Sequence, residues 1–237
     1  MKSKIALFFI LVLVCWLGIT YQLQEKREKS ETLVADAYYG DLLAVKDDIE
    51  NRATRDATLC FNDSEREYKD VEFNALHAAA SSGNEDVINF LLDQGMDINA
   101  QTPDGWTPLF IATRDGNAEA AKLLIFRQAD LNVQTNLGAT ALLMAVTQPY
   151  PSEKDRLDLL AYMLRHGADP NLSPYNGFSP LYYAAVTGNL DVVKILVEYG
   201  AQVTPQLVKQ TRLLLHKKPS SATKKIAALL QKRAAEK

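Results

Sequence analysis

The chain has 237 residues, 47% of them hydrophobic and 23% charged, which is enough apolar material for a sizeable core and too much for a disordered polymer. The formal net charge of -3 conceals a division, because residues 206–237 carry nine Lys or Arg and one acid, leaving 17 basic and 28 acidic residues elsewhere. So acidic a body argues against nucleic acid as the partner, and two cysteines, Cys15 and Cys60, leave no disulfide framework and no paired Cys/His metal spacing.

In chain order, Lys2 and Lys4 precede an uncharged apolar run from Ile5 to Ile19 that Thr20 to Leu23 extend to a length close to a bilayer span. Residues 1–23 therefore read as an uncleaved signal anchor, since Gly18-Ile19-Thr20 matches a cleavage site poorly. A lipoprotein-type signal ending at Cys15 is the alternative, with Val14 standing where such signals carry a small residue. The basic start places the N-terminus in the cytoplasm, although Lys26, Arg27 and Lys29 beyond the run weaken that orientation. A short basic start of this kind resembles a bacterial protein. The expected location is the bacterial inner membrane with the rest of the chain in the periplasm, or a cleaved or lipidated periplasmic form. Cys60, alone in the exported part, reads as a structural residue.

Residues 24–30 are a charged spacer. Residues 31–50 carry a degenerate helical pair around the Gly40-Asp41 turn, the polar outer unit that a stack needs where it meets water. Residues 51–72, with Asp63, Glu65, Arg66, Glu67, Lys69 and Asp70, then read as an inserted loop.

From here a unit recurs. Trp106 to Gly138 predicts a helix capped by Thr107 with Pro108 at its first position, a turn at Gly116, a second helix from Asn117 to Phe126 and an extended loop. Leu109, Ile111 and Ala112 are the apolar positions of the first helix; Ala120, Ala121, Leu123, Leu124 and Phe126 are those of the second. Leu76, Leu109 and Leu142 are 33 residues apart, as are Gly105 and Gly138, and the next copies, Leu181 and Gly177, come 39 residues on. A fixed period of this size means a stack of helical pairs.

The stretches NALHAAASSGNEDVINFLLDQGMDINA, TPLFIATRDGNAEAAKLLIFRQADLNV and SPLYYAAVTGNLDVVKILVEYGAQV resemble ankyrin repeats. The resemblance implies an all-α solenoid of helix-turn-helix units joined by hairpin loops, with repeats at 73–105, 106–138, 139–177 and 178–204. Three departures matter. Thr102, Thr135 and Pro174 replace the family's usual Asp at the hairpin start, which puts the bonding between hairpins in doubt. Gln128 stands where Gly95, Gly167 and Gly200 mark the other copies, at a cost of about 1 kcal/mol of strain. In the repeat at 139–177 the short turn becomes Gln148 to Lys154, with Pro149 and Pro151 bracketing Tyr150, and this stiff loop is expected to project into or beside the groove.

Residues 205–237 predict two helices with apolar stripes at Leu207, Val208, Leu213 and Leu214, then Ile226, Leu229 and Leu230, which close the stack. Their basic residues read either as a solvated face or as a contact for an anionic partner such as membrane phosphate.

No catalytic constellation is evident. His77, His166 and His216 lie in different repeats, and no H-E-x-x-H, G-x-S-x-G or Gly-rich phosphate loop occurs. The chain reads as non-enzymatic, monomeric and without cofactor or metal. Ankyrin-repeat proteins bind proteins through hairpin tips and the inner helix surface. That resemblance implies tip positions Pro103, Asp104 and Trp106, then Asn136, Leu137 and Ala139, then Tyr175, Asn176 and Phe178, with Arg114 and Asp115 in the groove. The expected partner-binding residues are Trp106, Asp104, Arg114, Asn136, Tyr150, Tyr175 and Phe178, because large aromatics at exposed tips mark binding surfaces. The function expected is that of an immunity protein which neutralises a secreted toxin such as a phospholipase effector; the alternative is a periplasmic scaffold or stress-protective partner of an envelope enzyme.

Overall fold

The computed structural model describes residues 32–50, 58–61, 71–217 and 220–235, so the expected anchor and spacer lie outside the described residues. Each repeat begins the same way because its first helix is capped the same way. Asn74, Thr107, Thr140 and Ser179 accept hydrogen bonds from the amides of His77, Phe110, Leu143 and Tyr182 at 3.0, 3.2, 3.2 and 3.3 Å. Pro108 and Pro180 sit at the first helical position, where a missing N–H costs nothing.

Twelve helices result among the described residues. The first pair is α1 (32–39) and α2 (Leu42–Glu50). The repeats proper supply α3 (Ala75–Ser82) with α4 (Glu85–Asp93), α5 (Pro108–Arg114) with α6 (Ala118–Phe126), α7 (Ala141–Thr147) with α8 (Glu153–Arg165), and α9 (Pro180–Thr187) with α10 (Leu190–Glu198). Helices α11 (Pro205–Lys217) and α12 (Ser221–Ala235) close the stack. Inner helices α3, α5, α7, α9 and α11 pack in succession, and outer helices α4, α6, α8, α10 and α12 form the second layer. One core runs through all of them, from Leu33 of α1 to Leu230 of α12. The periodic leucines Leu76, Leu109, Leu142 and Leu181 are at most 1% exposed, each worth about 2 kcal/mol of burial. This is the all-α solenoid that the repeat pattern predicts.

The structure refines several expectations. The inserted segment contains a short antiparallel pair, β1 (Thr58–Phe61) and β2 (Val71–Asn74), so the fold is not purely helical. Cys60 lies on β1, opposite Glu72. In α6 the core takes Ile125, 4% exposed, while Phe126 is 71% exposed, because a helix that stops there turns its last residue away from the stack. Leu213 likewise faces solvent at 55%. Gln128 does adopt the left-handed conformation, with φ 72°.

The proline loop of the repeat at 139–177 does not project. The Tyr150 hydroxyl donates to the Thr113 carbonyl at 2.7 Å, and a Cβ on Gly116 would meet Pro151 at 3.4 Å and the Pro149 carbonyl at 3.5 Å. Two prolines restrict the backbone enough to aim the ring inward, where it packs against the core. Among the described residues no helix is long and apolar enough to cross a membrane.

Candidate functional site

The surface of interest is a row of three tight turns at the mouth of the inner helices. Each closes with a glycine amide donating to the carbonyl three residues back: Gly105 to Thr102 at 2.8 Å, Gly138 to Thr135 at 2.7 Å and Gly177 to Pro174 at 2.8 Å. The glycine φ values of 79°, 78° and 74° explain the residue choice.

The absent aspartates are replaced in kind. Thr102 accepts from the Trp106 amide, and Thr135 from those of Leu137 and Ala139. In the third turn Asn176 accepts from the Phe178 amide. Neighbouring turns are then joined by backbone, with the Asn136 amide donating to the Asp104 carbonyl at 2.9 Å and the Tyr175 amide to the Leu137 carbonyl at 3.1 Å. The Asn136 side chain adds a bond to the Pro103 carbonyl at 2.7 Å. The hydrogen bonding between turns, doubtful from sequence, is therefore intact, because its donors and acceptors are main-chain groups.

His77 ties this row to the helices behind it. Its Nδ1 accepts from the Asn74 amide and its Nε2 donates to the carbonyls of Ala100 and Trp106, an arrangement that assigns a neutral ring. Burial pushes its pKa down to about 4, the two carbonyl bonds opposing the shift.

The expected site residues divide into two groups. Asp104, Asn136 and Tyr175 are exposed, Tyr175 at 82%. Leu137 joins them at 74%; it was among the tip positions but not among the expected contacts, and the signal that marks it is its alignment with Asp104 and Asn176. Together they form a continuous ridge of one acid, one amide and two large apolar side chains.

Trp106, Arg114, Phe178 and Tyr150 are not exposed tips. Trp106 is half-buried, stacked on Phe110 with ring centroids 5.9 Å apart and packed against Phe73 and Ile111. The Arg114 guanidinium lies 4.9 Å from the centre of the Trp106 ring, a cation–π contact. Arg114 also makes a two-pronged ion pair with Asp115 at 2.8 and 2.9 Å, and Asp115 accepts from the Ser81 hydroxyl at 2.6 Å. With side chains only 8% and 9% exposed, Arg114 and Asp115 form a groove floor that bridges two repeats. Phe178 stacks on Tyr182 at 4.3 Å. Tyr150 is spent on Thr113, and burial raises its hydroxyl pKa further above an ordinary phenol.

Position along the hairpin separates Trp106 and Phe178 from Asp104, Asn136 and Tyr175. The second and third residues of each turn point away from the stack, whereas the residue after the glycine turns back over the next inner helix. Among the described residues no group of His, Cys, Asp and Glu is arranged to hold a metal ion.

Comparison with known proteins agrees with this architecture. A family model described as ankyrin repeats matches residues 37–135 and 114–206. The nine-banded armadillo (Dasypus novemcinctus) has an ankyrin repeat, SAM and basic leucine zipper domain-containing protein that is 33% identical over 124 residues, 52% of this chain and 26% of that protein. A putative ankyrin repeat protein of fowlpox virus is 33% identical over 156 residues, 64% of this chain and 42% of its own length. A second fowlpox protein of the same description is 42% identical over 64 residues, 22% of this chain and 12% of its own. The chain thus spans less than half the length of these relatives.

Proposed function

Since the chain belongs to the ankyrin-repeat family, whose members are protein-interaction modules, we propose that it binds one protein partner through the ridge formed by Asp104, Asn136, Leu137 and Tyr175. The observation that carries this reading is the exposure of Leu137 and Tyr175 on turns locked together by main-chain hydrogen bonds. Large apolar side chains on a rigid support are suited to burial in a partner, since little ordering is required on binding.

The finer reading is that residues 1–23 anchor the chain in a bacterial inner membrane, that the repeats face the periplasm, and that the partner is a secreted toxin such as a phospholipase effector, which the ridge neutralises. Its support is the basic start followed by an uncharged run from Ile5 to Ile19, joined to a binding domain in which no catalytic constellation is evident.

The test is a pull-down with the full chain and with a Leu137→Arg, Tyr175→Ala variant, paired with deletion of the gene. One partner retained by the wild type and lost with the variant supports the ridge. Increased sensitivity of the deletion strain to effectors delivered by siblings supports neutralisation; unchanged sensitivity overturns it. Equal retention by both chains overturns the ridge.

A further inference from the structure

Two ladders of hydrogen bonds run along the stack, and they end at different places. The first uses asparagine side chains. Asn99 accepts from the Asp130 amide at 2.9 Å, Asn132 from Asp169 at 2.8 Å and Asn171 from Gln202 at 2.8 Å, so this ladder reaches the segment that leads into α11. The second joins the turns: the Asn136 amide to the Asp104 carbonyl, then the Tyr175 amide to the Leu137 carbonyl. It stops there, because the chain enters α11 at Pro205 directly after Val203 and Thr204, with no turn to lay over residues 174–177.

The missing turn leaves its space behind. Gly105 and Gly138 are buried, and a Cβ on either would meet the backbone of the following turn at 3.0 Å. Gly177 is exposed, and a Cβ there would meet nothing within 4 Å. The Asn176 carbonyl stands in register with those of Asp104 and Leu137, and among the described residues it accepts no hydrogen bond. Beside it lies an open groove of about 560 Å³, whose lining includes Asn176, Phe178, Tyr182, Gln202, Gln206 and Gln210.

The chemistry of that groove is specific. With Asn171 it holds five side-chain amides, which donate and accept in the same geometry as peptide groups, and two aromatic rings, with no carboxylate, ammonium or guanidinium among its lining residues. A charged ligand finds no counter-charge here. A peptide turn finds a main-chain acceptor, amide partners and a ring to cover.

We infer that this groove receives a tight, uncharged turn of the partner protein, seated where the next repeat's own turn would lie and donating a main-chain N–H to the Asn176 carbonyl. The inference rests on the binding role proposed above and deepens it by naming how the partner docks. Main-chain pairing at an open edge supplies the attachment, and the amide and aromatic walls supply the selection. The occupant resembles this chain's own Thr135 to Gly138 turn, which occupies the equivalent place over Asp104.

The test titrates the full-length 15N-labelled chain, in detergent micelles, with a cyclised peptide carrying residues 133–140, VQTNLGAT. The expected result is saturable amide shift changes confined to Asn176, Gly177, Phe178, Gln202 and Gln206. They are lost in Gln206→Trp and in Gln206→Arg, which fill the groove from an exposed position. No saturable change, changes elsewhere, or an unaltered response in both variants overturns the inference, as does a stronger response to a neutral oligosaccharide at the same concentration. A partner captured in the pull-down together with a silent peptide titration overturns turn docking alone. A saturable peptide response with no captured partner keeps turn docking and overturns the ridge reading.

Discussion

The hydroxyl of Tyr150 donates to the main-chain carbonyl of Thr113 at 2.7 Å, across 37 residues of sequence. This bond clamps the extended loop of one repeat onto the inner helix of the repeat before it. Tyr150→Phe keeps the packed ring and loses the bond, so urea unfolding should show a loss of about 1 kcal/mol. Tyr150→Ala removes the ring too and should cost about 3 kcal/mol. Equal stability of the Phe variant and wild type would show that the clamp is the ring alone.

The neutral state of His77 makes stability depend on pH. Its folded pKa of about 4 lies below the usual 6.5, so between these values the unfolded chain binds more protons than the folded one. The contribution is complete above pH 6.5 and declines as pH falls toward 4, by about 3 kcal/mol in total. Protonation also removes the acceptor that Nδ1 offers to the Asn74 amide. The urea midpoint of wild type should therefore fall more steeply from pH 7 to pH 4.5 than that of His77→Gln, a variant less stable at pH 7. Parallel profiles would assign the acid sensitivity to other groups.

Gln128 carries strain in its left-handed conformation, φ 72°. Gln128→Gly removes about 1 kcal/mol of strain, offset in part by the freer unfolded chain, for a net gain of about 0.5 kcal/mol. Thermal unfolding should move upward by about 1–2 °C for this change and downward for Gln128→Val, whose branched side chain tolerates this region poorly.

Asp115 holds the Arg114 guanidinium where both side chains are almost fully covered. Asp115→Asn keeps the shape and removes the charge, and should cost about 2 kcal/mol while loosening the link to Ser81. Proteolysis or hydrogen exchange at α3 and α5 would report that loosening, since local opening tracks the stability of the unit concerned.

Leu137 and Tyr175 behave in the opposite sense, because little rests on them within the fold. Replacing both should change stability by less than about 0.5 kcal/mol and abolish partner capture. A large loss of stability would mean that they are structural.

The stack was legible in the chain because its signals are local. Thr107-Pro108 and Ser179-Pro180 start helices whatever surrounds them, and a leucine that recurs every 33 residues meets its own counterpart in the next copy. The surface was less legible. Trp106 and Phe178 share the tip with Tyr175 in sequence, yet each lies beside an inner-helix ring, Phe110 and Tyr182, that draws it back over the stack. Position along the turn, and not residue type, separates Tyr175 at 82% exposure from Phe178.

The sequence by itself determined the repeat length, the helix starts, the left-handed turn at Gln128 and the absence of a recognisable catalytic motif, since each depends on residues within a few positions of one another. Tertiary structure decided what faces solvent and what is spent internally. Tyr150 reaches a carbonyl 37 residues away, Arg114 is held under Trp106, and the turn ladder ends at Gly177 because nothing follows to cover it. These outcomes depend on which repeat lies next to which, a relation that no local pattern encodes and that only the packed stack creates.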